Sequence, residues 1–258
     1  MLKKCVVYLS IICLIMSYAV CDNVWAAEGD NSKNVFSNVI MNVGSDETKR
    51  NITWYSHVFT DGEVRYAQKT DMAGDAFPDV YQTAKAVAVR TVGGEYSYKA
   101  SLMSLEENTD YVYCLVTGDI VSDYYTFSVN NFDDDYSFAF FTDAQLEDDE
   151  KEGSGWKSRI SRIASNFNNL SFMVSAGDQI NNPVSETEYD YFITNELASI
   201  PVSTTVGPGH DDSVLFNEHY NLPNLSSKYG VTTTSSDYFY KYNNALVMHL
   251  NCDNGTFD

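Results

Sequence analysis
Between Ser37 and Val129, apolar and polar residues alternate in short runs: Asn51–Tyr55, Glu63–Ala67, Ala86–Arg90, Tyr111–Val116 and Tyr124–Val129. A period of two, rich in β-branched and aromatic side chains, predicts strands buried on one face, and no stretch sustains a helical period. Gly62, Gly93-Gly94, Asn108 and Gly118-Asp119 separate the runs at positions where hairpins and corners need turn-forming residues. The expectation is a small β-sandwich. Beyond an acidic stretch at 131–136 the period changes. Phe138–Thr142 and Phe172–Ala176 are continuous apolar runs, as in strands covered on both faces, and between them Ile160, Ile163, Ala164 and Phe167 recur at helical spacing. That succession predicts a β-α-β unit with parallel strands. Tyr189–Leu197 reads as the next helix, and Pro201–Val206 and Leu246–Leu250 read as further strands.

The fold class expected is therefore a β-sandwich domain at 32–130, a linker at 131–136 and an α/β domain from 137 to 258. Ahead of them, Lys3 and Lys4 precede an apolar run from Val6 to Val20, and Val24-Trp25-Ala26 suits a signal peptidase. Residues 1–26 are read as a signal peptide cleaved after Ala26. The apolar run is shorter than the ~20 residues that span a bilayer, so no stable membrane insertion is expected. The mature chain is read as secreted or extracytoplasmic. Cleavage would leave Cys114 and Cys252, read as two separate buried thiols.

Charge narrows the partners. Sixteen Lys and Arg against 36 Asp and Glu give a net charge of −20, which repels phosphate backbones and anionic headgroups. A nucleic-acid partner is excluded on that ground.

The chemistry gathers at strand ends. Asp143 follows the first apolar strand, Asp178 follows the second, and the third delivers Gly207-Pro208-Gly209-His210-Asp211 to the same edge. In open α/β sheets ligands collect beyond the carboxyl ends of the strands, so both carboxylates should face one crevice. An aspartate after a strand is ordinarily a turn or cap residue. Several in one sheet point instead to a cation, because paired carboxylates repel unless a cation lies between them. With a histidine beside them to give or accept a proton, the set suits phosphoester hydrolysis.

Phe140-Phe141-Thr142-Asp143-Ala144-Gln145, Ser175-Ala176-Gly177-Asp178-Gln179 and Val206-Gly207-Pro208-Gly209-His210-Asp211 resemble, in order and spacing, the first three motifs of the purple acid phosphatases and the wider calcineurin-like metallophosphoesterases. Asn38–Val129 resembles the fibronectin type III-like domain that precedes the catalytic domain in purple acid phosphatases. The resemblance implies a metal-dependent phosphoester hydrolase acting on a small phosphate ester, with two divalent metal ions drawn from Fe, Zn, Mn or Mg. It implies that Asp143 binds one metal, Asp178 bridges two, Gln145 stands where many relatives carry a metal-binding His, and His210 protonates the leaving group or orients the phosphate. There are departures. Pro208 and Gly209 replace the metal-binding Asn of the third motif, Asn181 replaces the metal-binding Tyr, and the family's later Gly-His-x-His motif is not among these 258 residues. Two readings follow: a secreted, acid phosphatase-like hydrolase impaired as given, and a non-catalytic exported binding or surface module derived from a phosphatase.

Overall fold
The computed structural model describes residues 35–133, 136–167, 169–206 and 213–251. The signal-peptide reading of 1–26, the third motif with His210, and Cys252 lie outside the described residues.

The first half is built from β1 (Ser37–Val43), β2 (Arg50–Ser56), β3 (Gly62–Gln68), β4 (Gln82–Lys85), β5 (Val87–Arg90), β6 (Tyr96–Leu102), β7 (Thr109–Thr117), β8 (Ile120–Val121) and β9 (Tyr125–Val129). Strands β1-β2-β6-β5 form one antiparallel face, and β4-β3-β7 with β8 and β9 form the other. Between them pack Trp54, Val64, Tyr66, Tyr98, Tyr111, Tyr113 and Phe127, with Trp54 and Tyr98 stacked at 5.1 Å. Gly62 lets β3 approach this stack, since a Cβ there would lie 2.5 Å from the Tyr98 ring. The alternation seen in the sequence is thus that of a two-sheet sandwich. The central strands β1 and β6 complete the face on which the second half is laid.

The second half contains β10 (Ser137–Phe141), α1 (Glu150–Asn166), β11 (Leu170–Ser175), α2 (Glu186–Phe192), β12 (Val202–Thr204), α3 (Val214–His219), β13 (Tyr238–Tyr242) and β14 (Ala245–His249). β10 and β11 pair in parallel, with Phe138 opposite Phe172 and Phe140 opposite Val174, as the β-α-β reading expects. Helix α1 starts earlier than its apolar period, because Asp149 caps it: its carboxylate accepts from the backbone N–H groups of Lys151 and Glu152, both at 2.9 Å. Tyr189–Leu197 is not one helix; α2 ends at Phe192 and a separate 3₁₀ turn covers Asn195–Ala198.

The two halves share a sheet. β12 pairs in parallel with β1 at Val202 and Asn42, and Asn42 Nδ2 donates to the Val202 carbonyl at 3.1 Å. The result is a seven-stranded sheet in the order β10-β11-β12-β1-β2-β6-β5. β1 therefore serves two cores. Val39 and Met41 face the sandwich interior, whereas Ile40 and Val43 belong to the cluster of Trp156, Ile160, Phe172, Phe192 and Tyr240.

One expectation is corrected. Phe138–Thr142 reads as a strand covered on both faces, but β10 is the edge of the sheet, with Phe138 49% and Phe140 63% exposed. Its apolar run has the same composition as a central strand, and only the absence of a neighbour beyond it among the described residues tells them apart. The hairpin β13-β14 lies over the inner positions of this face, placing Tyr240 edge-on to Phe172 at 5.7 Å.

Candidate functional site
Beyond β10 and β11 the backbone turns sharply left-handed. Asp143 has φ 62°, Gln145 φ 41°, Gly177 φ 96° and Asp178 φ 52°. Non-glycine residues in this region are strained, and aspartate tolerates it better than most because its short side chain can bond locally. The two turns are laced together. Asp143 N–H donates to the Gly177 carbonyl at 3.1 Å, Gln145 N–H to Asp178 at 2.8 Å and Leu146 N–H to Gln179 at 3.2 Å, and Asn181 N–H returns to Leu146 at 3.0 Å. Leu146 and Ile180 form a parallel bridge. The backbone turns that carry Asp143, Gln145 and Asp178 are thus brought together at the carboxyl edge of the sheet.

Their surroundings differ. Asp143 is exposed, while Asp178 and Gln145 are partly covered. Asp178 Oδ1 is buried without a hydrogen-bond partner. A carboxylate oxygen left in that condition is costly unless something positive meets it. Beside Gln145 opens a cleft of 540 Å³, bounded by Leu146 and by Asp149, Lys151, Glu152, Gly155 and Arg159 of the α1 end.

Behind the aspartates stands a residue that sequence reasoning passed over. Gln179 is fully buried; its amide donates to Thr204 Oγ1 and, at 3.3 Å, to the Thr205 carbonyl, while Tyr220 Oη donates to its Oε1 at 3.0 Å. It ties the end of β11 to the end of β12 and to the residue after α3. Glu188 does the same on the other side, its Oε2 accepting from Asn181 N–H at 3.0 Å and Asn182 N–H at 2.6 Å. A glutamine immediately after the strand-end aspartate was the one signal of this support.

The described histidines are placed elsewhere. His219 is buried against Glu186, and His249 stacks on Tyr238 at 4.5 Å, with burial pushing its imidazole down to about 4. His249 is thus packed as a stacked ring between Tyr238 and Tyr240. Among the described residues, no group of three or more His, Cys, Asp or Glu is arranged to hold a metal ion. The donor set fits one hard cation: two carboxylates, one with an orphaned buried oxygen, and an amide. Among the described residues these donors do not make up two coordination spheres.

Residues 36–129 match the family described as Purple acid Phosphatase, N-terminal domain. A purple acid phosphatase, PPD1, from seeds of yellow lupin (Lupinus luteus) shares the fold at a TM-score of 0.60 and 15% identity, over 81% of this chain and 43% of that one. The chain therefore spans less than half of the lupin protein. PhoD aligns over 80% of this chain and 49% of its own, at 14% identity and a TM-score of 0.47. None of the curated proteins compared matches the chain in sequence.

Proposed function
We propose, for a chain whose residues 36–129 match a purple acid phosphatase N-terminal domain and whose fold resembles that of a purple acid phosphatase, that the carboxyl edge of β10 and β11 is a phosphoester-hydrolase site of low turnover in an exported protein. The observation that carries the reading is the pair of left-handed aspartates, Asp143 and Asp178, on two hydrogen-bonded turns, one with an unpartnered buried oxygen.

Asp178 and Asp143 would hold a hard divalent cation, with Gln145 supplying an amide oxygen. Such a cation, when bound, polarises the phosphoryl group and lowers the pKa of water. The chain's own contribution is preorganisation. The laced turns fix both carboxylates before any ligand arrives, and Gln179 and Glu188 hold those turns against β12 and α2, so no reorganisation is needed at the moment of reaction. His210, in this reading, donates a proton to the leaving oxygen. Pro208 and Gly209 supply no side-chain donor beside it, which limits the charge stabilisation available and sets turnover low.

The second reading, a binding module without turnover, is favoured by one observation: among the described residues no third His, Cys, Asp or Glu joins the two aspartates. An aryl phosphate with added Mn or Zn separates them. Slow hydrolysis abolished by Asp178→Asn and by His210→Ala supports the hydrolase. Metal binding that depends on Asp178 with no hydrolysis above buffer supports the binding module, and hydrolysis indifferent to both substitutions overturns the site.

A further inference from the structure
The seam between the two halves concentrates ionisable groups far beyond what docking needs. His219, at the end of α3, is 0% exposed, its ring between those of Tyr55 on β2 at 4.6 Å and Tyr189 on α2 at 4.1 Å. Its Nε2 lies 2.9 Å from Glu186 Oε2, and its Nδ1 is buried without a partner. Next to it, Glu218 accepts the Val92 N–H at 2.9 Å through one oxygen, and its other oxygen is buried and unpartnered. Glu95, from the β5–β6 turn, and Asp190, on α2, both lie in the field of Glu186.

Positive charge facing this ring is scarce. Lys99 on β6 is spent on carbonyls, donating to Asn217 and, at 2.7 Å, to Tyr220. His57, after β2, faces Glu95, and Lys157 of α1 faces Asp190. Glu186 and the buried Glu218 therefore flank one buried imidazole across the join, with half-buried Glu95 and exposed Asp190 within the field of Glu186, and Ser97 Oγ donates to the Glu218 carbonyl at 2.6 Å.

We propose that this cluster is an acid-strengthened lock: proton uptake by the carboxylates around His219 tightens the docking of the α3 segment on the sandwich, and proton loss loosens it. A proton on Glu95 or Glu218 removes like-charge repulsion from Glu186 that burial has made expensive. Burial, followed by the nearby Glu186 carboxylate, raises the carboxyls of Glu95 and Glu218 above the ordinary range. Burial raises that of Asp190 as well, against an opposing hydrogen bond from Asn38. The sign follows: carboxyls raised in the folded state contribute stability that is fully present below their unfolded pKa and is lost as pH climbs through their folded values.

The test uses the full chain. Thermal midpoints are compared at about pH 5 and about pH 8 for the wild type, Glu95→Gln/Glu218→Gln, Glu186→Gln and the exposed control Asp75→Asn. The acid advantage of the wild type should shrink by ~3 °C or more in the double variant and in Glu186→Gln, and should persist in Asp75→Asn. The contribution of His249 is common to all four and cancels. Equal acid advantage in all four overturns the lock, as does loss of the advantage in the control alone. If the double variant does not fold, the Val92 amide of the wild type decides. Its hydrogen-exchange protection, corrected for intrinsic rate, should be ~10-fold greater at the acid pH, and equal protection refutes the proposal.

Discussion

Gln145 donates its backbone N–H to the Asp178 carbonyl at 2.8 Å, so the turn that carries one candidate ligand is built on the turn that carries the other. Both aspartates sit at positive φ, 62° for Asp143 and 52° for Asp178, where glycine would be at ease. Residues that keep strain at a strand end are candidates for function bought at the expense of stability. Asp143→Gly should leave the midpoint unchanged or raise stability by up to about 1 kcal/mol while weakening Mn binding. Differential scanning calorimetry together with Mn titration checks both halves, and a destabilised variant with unchanged Mn affinity would contradict them.

Metal binding should depend on Asp178 more than on Gln145. The orphaned Oδ1 of Asp178 is buried, whereas an amide oxygen offers a hard cation only a neutral donor. Asp178→Asn should lower Mn affinity by ~10-fold or more, in the range seen when metal-site groups are altered, and Gln145→Ala by less. Calorimetric titration of both variants ranks them.

His249 gives a second pH signature, opposite in direction to that of the lock. Burial lowers its imidazole from 6.5 to about 4, so the neutral form is held in the folded chain. Stability from this group is fully present above the unfolded value and is lost as pH falls from the unfolded value through the folded one. The loss at still lower pH is on the order of 3 kcal/mol. His249→Phe, which keeps the ring stacked on Tyr238, should remove this acid sensitivity, as measured by urea midpoints across that window.

Gly153 lies inside α1, where alanine is normally preferred by about 1 kcal/mol. A Cβ there would fall 2.3 Å from Tyr191 Cδ1, because α1 packs closely on α2. Gly153→Ala should therefore destabilise, by roughly 1–3 kcal/mol as overpacking does. A stabilised variant would mean that Tyr191 swings away freely.

The edge strand has a solubility consequence. Phe138 and Phe140 stand exposed on β10, and Leu246, Met248 and Leu250 are exposed along β14 and just beyond it. No charge interrupts either strand. Unprotected apolar edges are prone to pair with other chains. Phe140→Lys should reduce light scattering on warming with little change in urea stability.

The local patterns of the sequence contain a good deal of this molecule. The period of two makes β2, β3, β5, β7 and β9 visible; it matches alternating burial in β3 and β9, whereas β2 and β7 are buried on both faces, against the expectation of one buried face. β6 alternates just as strictly, Tyr96, Tyr98, Ala100 and Leu102 with Ser97, Lys99 and Ser101 between them, although it is not among the runs singled out above. Lys99 is tolerated there because its ammonium meets the carbonyls of Asn217 and Tyr220. The strand-end aspartates could be found from sequence, since an acid after a continuous apolar run is a local feature. Their shared turn geometry was not.

What the sequence by itself determined was the order of elements, the change of period near 131–136 and the residues offered at the strand ends. What only the tertiary structure decided was which strand neighbours which. The pairing of Asn42 with Val202 joins positions 160 residues apart, and it turns β1 from the edge of a sandwich into the middle of a seven-stranded sheet. The same docking buries His219 and leaves β10 uncovered. The physical reason is that periodicity records whether a side chain meets water or protein, not which protein surface it meets. Non-local pairing is settled by the joint packing of both faces.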